Sequence, residues 1–178
     1  MSEEIQFLKD LQEELLTQDN DCQAAPRFWS IMNYRWIRTE EGEHERASVF
    51  FTEECELYQL DDLIKEIIDG EVEHDLSDED LAELKEIQEW ESEEELFDWY
   101  KKNINDECYL IYETEESFIA PNSLFLTKAE AKRHLELNHY HYSPKAHTYA
   151  MTAWRAPKVE KLISILESFN WDKLKEME

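Results

Sequence analysis

Between Glu53 and Asp98 the chain carries 21 Asp or Glu against two bases, Lys65 and Lys85, a formal charge of −19 over 46 residues. A run this acidic is ordinarily a solvated, disordered segment, because like charges repel and little apolar surface is left to bury. The apolar residues argue against that here. Leu60, Leu63, Ile64, Ile67 and Ile68, then Leu81, Leu84, Ile87 and Trp90, then Leu96, Phe97 and Tyr100 recur at helical spacing. The spacing predicts three short amphipathic helices with acidic outer faces. Ser77 followed by Asp80, and Ser92 followed by Glu95, fit a capping hydroxyl with a carboxylate three residues on. Acidic first turns suit the positive end of a helix dipole, and Gly70 suits the break after the first helix.

The rest of the chain supports a folded protein. Its 178 residues are 42% hydrophobic and 12% aromatic, enough for the core of a single domain with an acidic helical subdomain near 57–103. Two glycines exclude the glycine-rich phosphate loops of common nucleotide-binding enzymes. The start, Met-Ser-Glu-Glu-Ile, lacks the basic and apolar runs of a secretory signal, and no window approaches the roughly 20 apolar residues of a membrane span. A soluble cytoplasmic protein is the expectation. Cys22, Cys55 and Cys108 are an odd set without close spacing, which reads as reduced thiols rather than a disulfide framework or a metal knuckle. Charge is concentrated rather than spread: residues 1–118 carry −28 and residues 119–178 carry +2.

In chain order, Ile5, Leu8, Leu11 and Leu15 place a stripe on a first helix, about 3–16. Residues 27–38 alternate as a strand, with Phe28, Ser30, Met32, Tyr34 and Trp36 on one side and Trp29, Ile31 and Ile37 on the other. A turn at 39–45 containing Gly42 leads to 47–52, read as the antiparallel partner of that strand. Residues 108–112 form a short strand and 113–117 a polar turn. Thr127 and Glu130 make a capping box ahead of a helix over 128–137. Residues 139–142 and 147–154 read as a hairpin turning through Ser143, Pro144 and Lys145. Pro157 opens a last helix with Val159, Leu162, Ile163, Leu166 and Phe169 as its buried stripe. The fold class that follows is α+β: a small antiparallel sheet with packed helices and an acidic helical insertion.

The string Phe-Leu-Thr-Lys-Ala-Glu-Ala-Lys-Arg-His-Leu-Glu-Leu-Asn-His-Tyr-His-Tyr (125–142), with Ala-His-Thr-Tyr-Ala-Met-Thr-Ala-Trp-Arg-Ala-Pro (146–157), resembles an uncharacterised family of small proteins from phages and prophages of Gram-positive bacteria. The opening Glu-Ile-Gln-Phe-Leu-Lys-Asp-Leu-Gln-Glu-Glu-Leu and the run Pro26-Arg-Phe-Trp are similar to the same family, so about half the chain takes part and the acidic middle is its variable portion. The resemblance implies a phage gene acting in the host bacterial cytoplasm and carries no catalytic residue to transfer. Acidic phage proteins of this size include inhibitors of host defence nucleases, anti-CRISPR proteins among them.

Three constellations are candidates for function. His139, His141 and His147 would share a face of the expected hairpin and could hold zinc, or act as an acid/base pair; a packing role with hydrogen-bonded rings is favoured, since the spacing matches no standard zinc pattern. Lys128, Lys132, Arg133, Lys145, Arg155 and Lys158 form a modest basic cluster, read as solubilising residues. A body of net −26 repels a polyanion, which argues against direct nucleic-acid binding and against a nuclease. The strongest feature is the row of acids Asp78, Glu79, Asp80, Glu83, Glu86, Glu93 and Glu94. Carboxylates three or four residues apart on a helix lie about 5–6 Å apart at Cβ and repel by a few tenths of a kcal/mol per pair, so the row needs a reason. A highly soluble surface is one. The other is a basic, nucleic-acid-handling partner such as a CRISPR effector nuclease, inhibited by a non-enzymatic protein that mimics nucleic acid. The alternatives are a histidine-based metal-binding or enzymatic domain, and a phage assembly or interaction protein.

Overall fold

A computed structural model describes residues 2–19, 25–70, 76–90 and 92–172. The fold is α+β. In chain order the elements are α1 (Glu3–Thr17), β1 (Arg27–Arg38), β2 (Arg46–Phe51), β3 (Glu56–Gln59), α2 (Leu60–Asp69), α3 (Asp78–Glu89), α4 (Glu93–Asn103), β4 (Cys108–Ile119), α5 (Lys128–Leu137), β5 (His147–Thr152) and α6 (Pro157–Ser168). The strands form one sheet in the order β3-β2-β4-β1-β5. The chain divides into two compact units, residues 1–35 with 117–178, and residues 36–116.

In the second unit, the three acidic helices form where their periodicity places them. Leu60, Ile64 and Ile67 of α2, Leu84 of α3, and Leu96, Phe97, Trp99 and Tyr100 of α4 are buried with Ala47, Val49 and Phe51 of β2 and Cys108 of β4. Each boundary has a local cause. Ser77 accepts from the Asp80 N–H while Asp80 accepts from the Ser77 N–H, a reciprocal cap. Ser92 accepts from the Glu95 N–H. Gly70 ends α2 at φ 71°, in the left-handed region, and its N–H reaches the carbonyls of Glu66 and Ile67.

The strand pairing departs from local expectation. The 39–45 turn does not close a hairpin between β1 and β2. Thr39 N–H donates to Tyr112 O and Glu45 N–H to Glu113 O, each at 2.9 Å, so β4 takes the place beside β2. The β2–β4 ladder is antiparallel and runs from Arg46 opposite Glu113 to Phe51 opposite Cys108. Residues 113–117 belong to β4 rather than to a turn, because pairing overrides the weak strand propensity of Glu113, Glu115 and Glu116. The edge strand β3, which overlaps the start of the helical subdomain expected near 57–103, pairs with β2 through Phe51 opposite Glu56 to Ser48 opposite Gln59.

In the first unit, a smaller cluster of Trp29, Ile31, Ala120 and Ala131 is buried, with Phe125, Leu135, Tyr142, Ala146 and Ala150 packed on it. Glu14 of α1 accepts from the Thr127 hydroxyl at 2.6 Å, and Thr127 in turn accepts from the Glu130 N–H at the start of α5. The expected 139–154 hairpin is replaced. After α5 the chain tightens into a 3₁₀ turn over His139–His141, with Tyr142 N–H donating to His139 O, and only β5 is a strand. β5 pairs antiparallel with β1, Arg27 opposite Thr152 through Met32 opposite His147. On α6 only Ile163 is buried; Val159, Leu162 and Phe169 of the expected buried stripe are exposed.

Candidate functional site

The acids of α3 and α4 fall into two kinds. Asp78, Glu79, Glu83, Glu86 and Glu94 are exposed, on helices whose opposite faces are anchored in the core. Glu79, Glu83 and Glu86 follow one face at i, i+4 and i+7. Among the described residues one ion pair reaches these five acids, Lys102 Nζ to Glu83 Oε2 at 3.8 Å between two exposed side chains. Such a pair contributes about 0–1 kcal/mol, so the face stays strongly negative.

Asp80 and Glu93 have local duties instead. Asp80 Oδ2 accepts from the Ser77 hydroxyl at 2.5 Å and from its N–H at 3.0 Å, and these bonds, the hydroxyl's first, hold its carboxyl below the usual range. Glu93 Oε2 lies 2.6 Å from His44 Nε2. The Gly42 N–H donates to His44 Nδ1 at 3.1 Å, which leaves Nε2 to carry the proton towards Glu93. The His44 ring packs on Tyr112 with centroids 4.4 Å apart.

Carboxylates crowd this corner. The Asp61 carboxyl is pushed up, by burial first and then by Glu93 and Asp62. The Tyr112 hydroxyl is pushed up as well, by burial and then by Glu41, Glu94 and Glu93. The nearby buried carboxylate, Glu113, is neutralised: its Oε2 accepts from Arg46 Nε at 2.9 Å and from the Ser48 hydroxyl at 2.7 Å, with Arg46 Nη2 also at 2.9 Å. The Arg46 guanidinium lies 3.9 Å from the centre of the Trp36 ring. Neither His44–Glu93 nor Arg46–Glu113 was legible in advance. The partners are 49 and 67 residues apart, and only the strand register brings the second pair together.

The tryptophans divide sharply. Trp99 is 3% exposed and belongs to the core, whereas Trp90, at the C-terminal end of α3, is 70% exposed beside the acidic face. Trp154 is 77% exposed.

The histidines do not assemble as a hairpin would have placed them. His139 Nδ1 lies 3.1 Å from Glu136 O, the His141 ring packs on Tyr140, and His147 Nδ1 lies 3.2 Å from Lys145 O. The neighbouring His134 Nε2 lies 2.8 Å from the Tyr142 hydroxyl. Among the described residues no group of three or more His, Cys, Asp or Glu is placed to hold a metal. Of the basic cluster, Lys128 pairs with Asp19 at 3.1 Å and lies 5.0 Å from the centre of the Trp29 ring. Cys55 is exposed and Cys108 buried; Cys22 lies outside the described residues. Among the described residues no helix is long and apolar enough to cross a membrane.

Comparison with known protein families, with characterised proteins and with solved structures finds no match.

Proposed function

We propose that this chain is a non-enzymatic phage protein that works in the host bacterial cytoplasm by occupying the nucleic-acid site of a basic host defence protein, most concretely a CRISPR effector nuclease. The observation that supports this reading is the exposed, nearly unpaired face Glu79, Glu83 and Glu86 of α3, with Asp78 and Glu94 also exposed, on helices whose opposite faces are buried in the core. Glu79, Glu83 and Glu86, four and three residues apart with Cβ atoms about 5–6 Å from one another, repeat on a length scale close to that of phosphates. A basic channel that meets such a row gains steering and releases its own counterions, as it does with nucleic acid. The exposed Trp90 beside the row supplies an aromatic anchor of the kind that dominates interface energetics.

The test uses a purified CRISPR effector nuclease from a Gram-positive host and a labelled target duplex. The protein is expected to displace the duplex, with affinity falling steeply as salt rises. A variant carrying Asp78→Lys, Glu79→Lys, Glu83→Lys, Glu86→Lys and Glu94→Lys is expected to lose displacement at least tenfold. Asp80 and Glu93 stay native in it, so that the α3 cap and the His44 contact survive. A folded variant with unchanged affinity would overturn mimicry. Capture from a host lysate at low and high salt then identifies the target among basic nucleic-acid-handling proteins.

A further inference from the structure

The two edges of the sheet are built differently. At one edge β3 is four residues long and is guarded by Glu53, Glu54 and Glu56, charges of the kind that keep an edge from pairing with another chain. At the other, β5 is six residues long, His-Thr-Tyr-Ala-Met-Thr, and holds no Asp, Glu, Lys or Arg.

The backbone groups that β5 turns outward follow from the bonds on the far side of β1. Trp29 N–H donates to Phe125 O and Phe125 N–H to Trp29 O, each at 2.8 Å, while Ala120 N–H donates to Ile31 O at 2.8 Å. Trp29 and Ile31 therefore aim their backbone groups away from β5. Successive residues of an antiparallel strand alternate in direction, so Phe28, Ser30 and Met32 face β5, and their partners Met151, Tyr149 and His147 face β1. The bond from Ala153 N–H to Pro26 O, at 2.9 Å, continues the same alternation. Thr148, Ala150 and Thr152 are left with N–H and C=O groups pointing out of the sheet, and these have no partner among the described residues.

We propose that the β5 edge is a self-association site, at which β5 of a second copy adds antiparallel and continues the sheet across a two-fold axis at Ala150. The occupant follows from two observations. The first is charge: residues 36–116 hold 30 acids and 6 bases, a net −24, whereas residues 1–35 and 117–178 together hold 14 acids and 12 bases, a net −2. Two copies repel strongly through the former and hardly at all through the unit that carries β5. The second is self-complementarity. A two-fold at Ala150 sets Ala150 opposite its own copy, Thr148 opposite Thr152 and Tyr149 opposite Met151, so every outward N–H meets a carbonyl. Thr–Thr and aromatic–apolar pairs are favourable cross-strand neighbours, and no like charges face each other. An isologous interface needs such a self-complementary patch.

Sedimentation equilibrium of the full chain at low and high concentration and salt tests this, read with hydrogen exchange. The expected result is a dimer at high concentration that tightens with added salt, because screening relieves repulsion between the acidic units; binding to a basic target has the opposite salt dependence. The amides of Thr148, Ala150 and Thr152 are expected to gain protection as concentration rises. Ala150→Pro removes an N–H that β1 does not use, at an edge where proline is tolerated, and is expected to weaken the dimer at least tenfold. A chain that stays monomeric, a dimer in which those three amides exchange as in the monomer, or a folded Ala150→Pro that dimerises unchanged would each overturn the proposal. If that variant does not fold, the exchange measurement on the native chain decides alone.

Discussion

The two units solve the same packing problem with opposite surfaces. Residues 36–116 carry a net −24 around a large core into which α2, α3, α4, β2 and β4 all contribute. The other unit is nearly neutral, closes over a small core around Trp29 and Ile31, and leaves Phe7, Leu124, Leu162, Ile165 and Trp154 exposed. In this chain the larger charge surrounds the larger core. Like-charge repulsion of a few tenths of a kcal/mol per helical pair accumulates along three acidic helices, and it is offset by burial at about 25 cal/mol per Å² of apolar surface. The nearly neutral unit bears little of that load.

The greatest loss of stability is expected from Trp29→Ala. Trp29 is 1% exposed, its indole N–H donates to Gln18 Oε1 at 2.7 Å, and it sits between β5 and Phe125 at the centre of a cluster with few other large residues. The loss is expected at about 4 kcal/mol, and urea denaturation measures it. Leu84→Ala in the larger core is expected to cost less, about 3 kcal/mol. The reverse order would mean that the small core is the more forgiving one.

Next in size is Glu113→Ala, expected to cost about 3 kcal/mol because it strands Arg46 and Ser48 on the β2–β4 ladder. The loss lies at the low end for a broken buried pair, since the Arg46 side chain keeps 23% of its exposure and its place over Trp36. Replacing all three partners, Arg46→Met and Ser48→Ala with Glu113→Leu, is expected to be close to neutral in the same assay. A triple variant as unstable as the single one would show that the charges themselves, rather than their mutual satisfaction, hold the ladder.

What was legible in advance divides along physical lines. Helix periodicity and capping are local, and Ser77, Ser92, Thr127 and Gly70 marked boundaries that the fold keeps. Strand partnership is not local. Nothing near the 39–45 turn says that β4 will lie beside β2, and the polar string from Glu113 to Ser117 reads as a turn until Arg46 neutralises Glu113. His139-Tyr-His-Tyr alternates like a strand, yet the chain leaving α5 has i→i+3 bonds available and takes them. The acidic face was legible as a row, but the separate duties of Asp80 and Glu93 were not equally so. Asp80 follows from its cap three residues away, whereas Glu93 depends on a histidine in a distant turn.

The start of α3 depends on its cap. Ser77→Ala is expected to cost about 1 kcal/mol at neutral pH. The sign of its pH dependence follows from Asp80, whose carboxyl is held low by the Ser77 hydroxyl first and the Ser77 N–H second. That stabilisation is present above the unfolded carboxylate value of about 3.9 and is lost as pH falls through the folded one. The variant has less of it to lose, so its deficit is expected to shrink on acidification in denaturation curves at neutral and acid pH. A deficit that stays constant would assign the cost to the helix N–H bond alone.

The smallest effect concerns how far the acidic field reaches inwards. Tyr100 is buried in the core of the charged unit, and its hydroxyl is pushed up to about 12, by burial first and then by Cys108, Glu54 and Glu66. A raised value means that the folded state favours the neutral phenol. The associated stability is fully present below the unfolded value of about 10 and is lost as pH rises through the folded one. Tyr100→Phe is therefore expected to change stability by roughly 0.5 kcal/mol or less at neutral pH, because the hydroxyl has no hydrogen bond among the described residues, and to flatten the alkaline loss between those two values. Because burial outranks Glu54 and Glu66 as the cause, high salt is expected to leave most of the native slope in place. A slope that salt abolishes would mean that the surface carboxylates set the titration of the core, and the separation of outer charge from inner packing in this unit would fail.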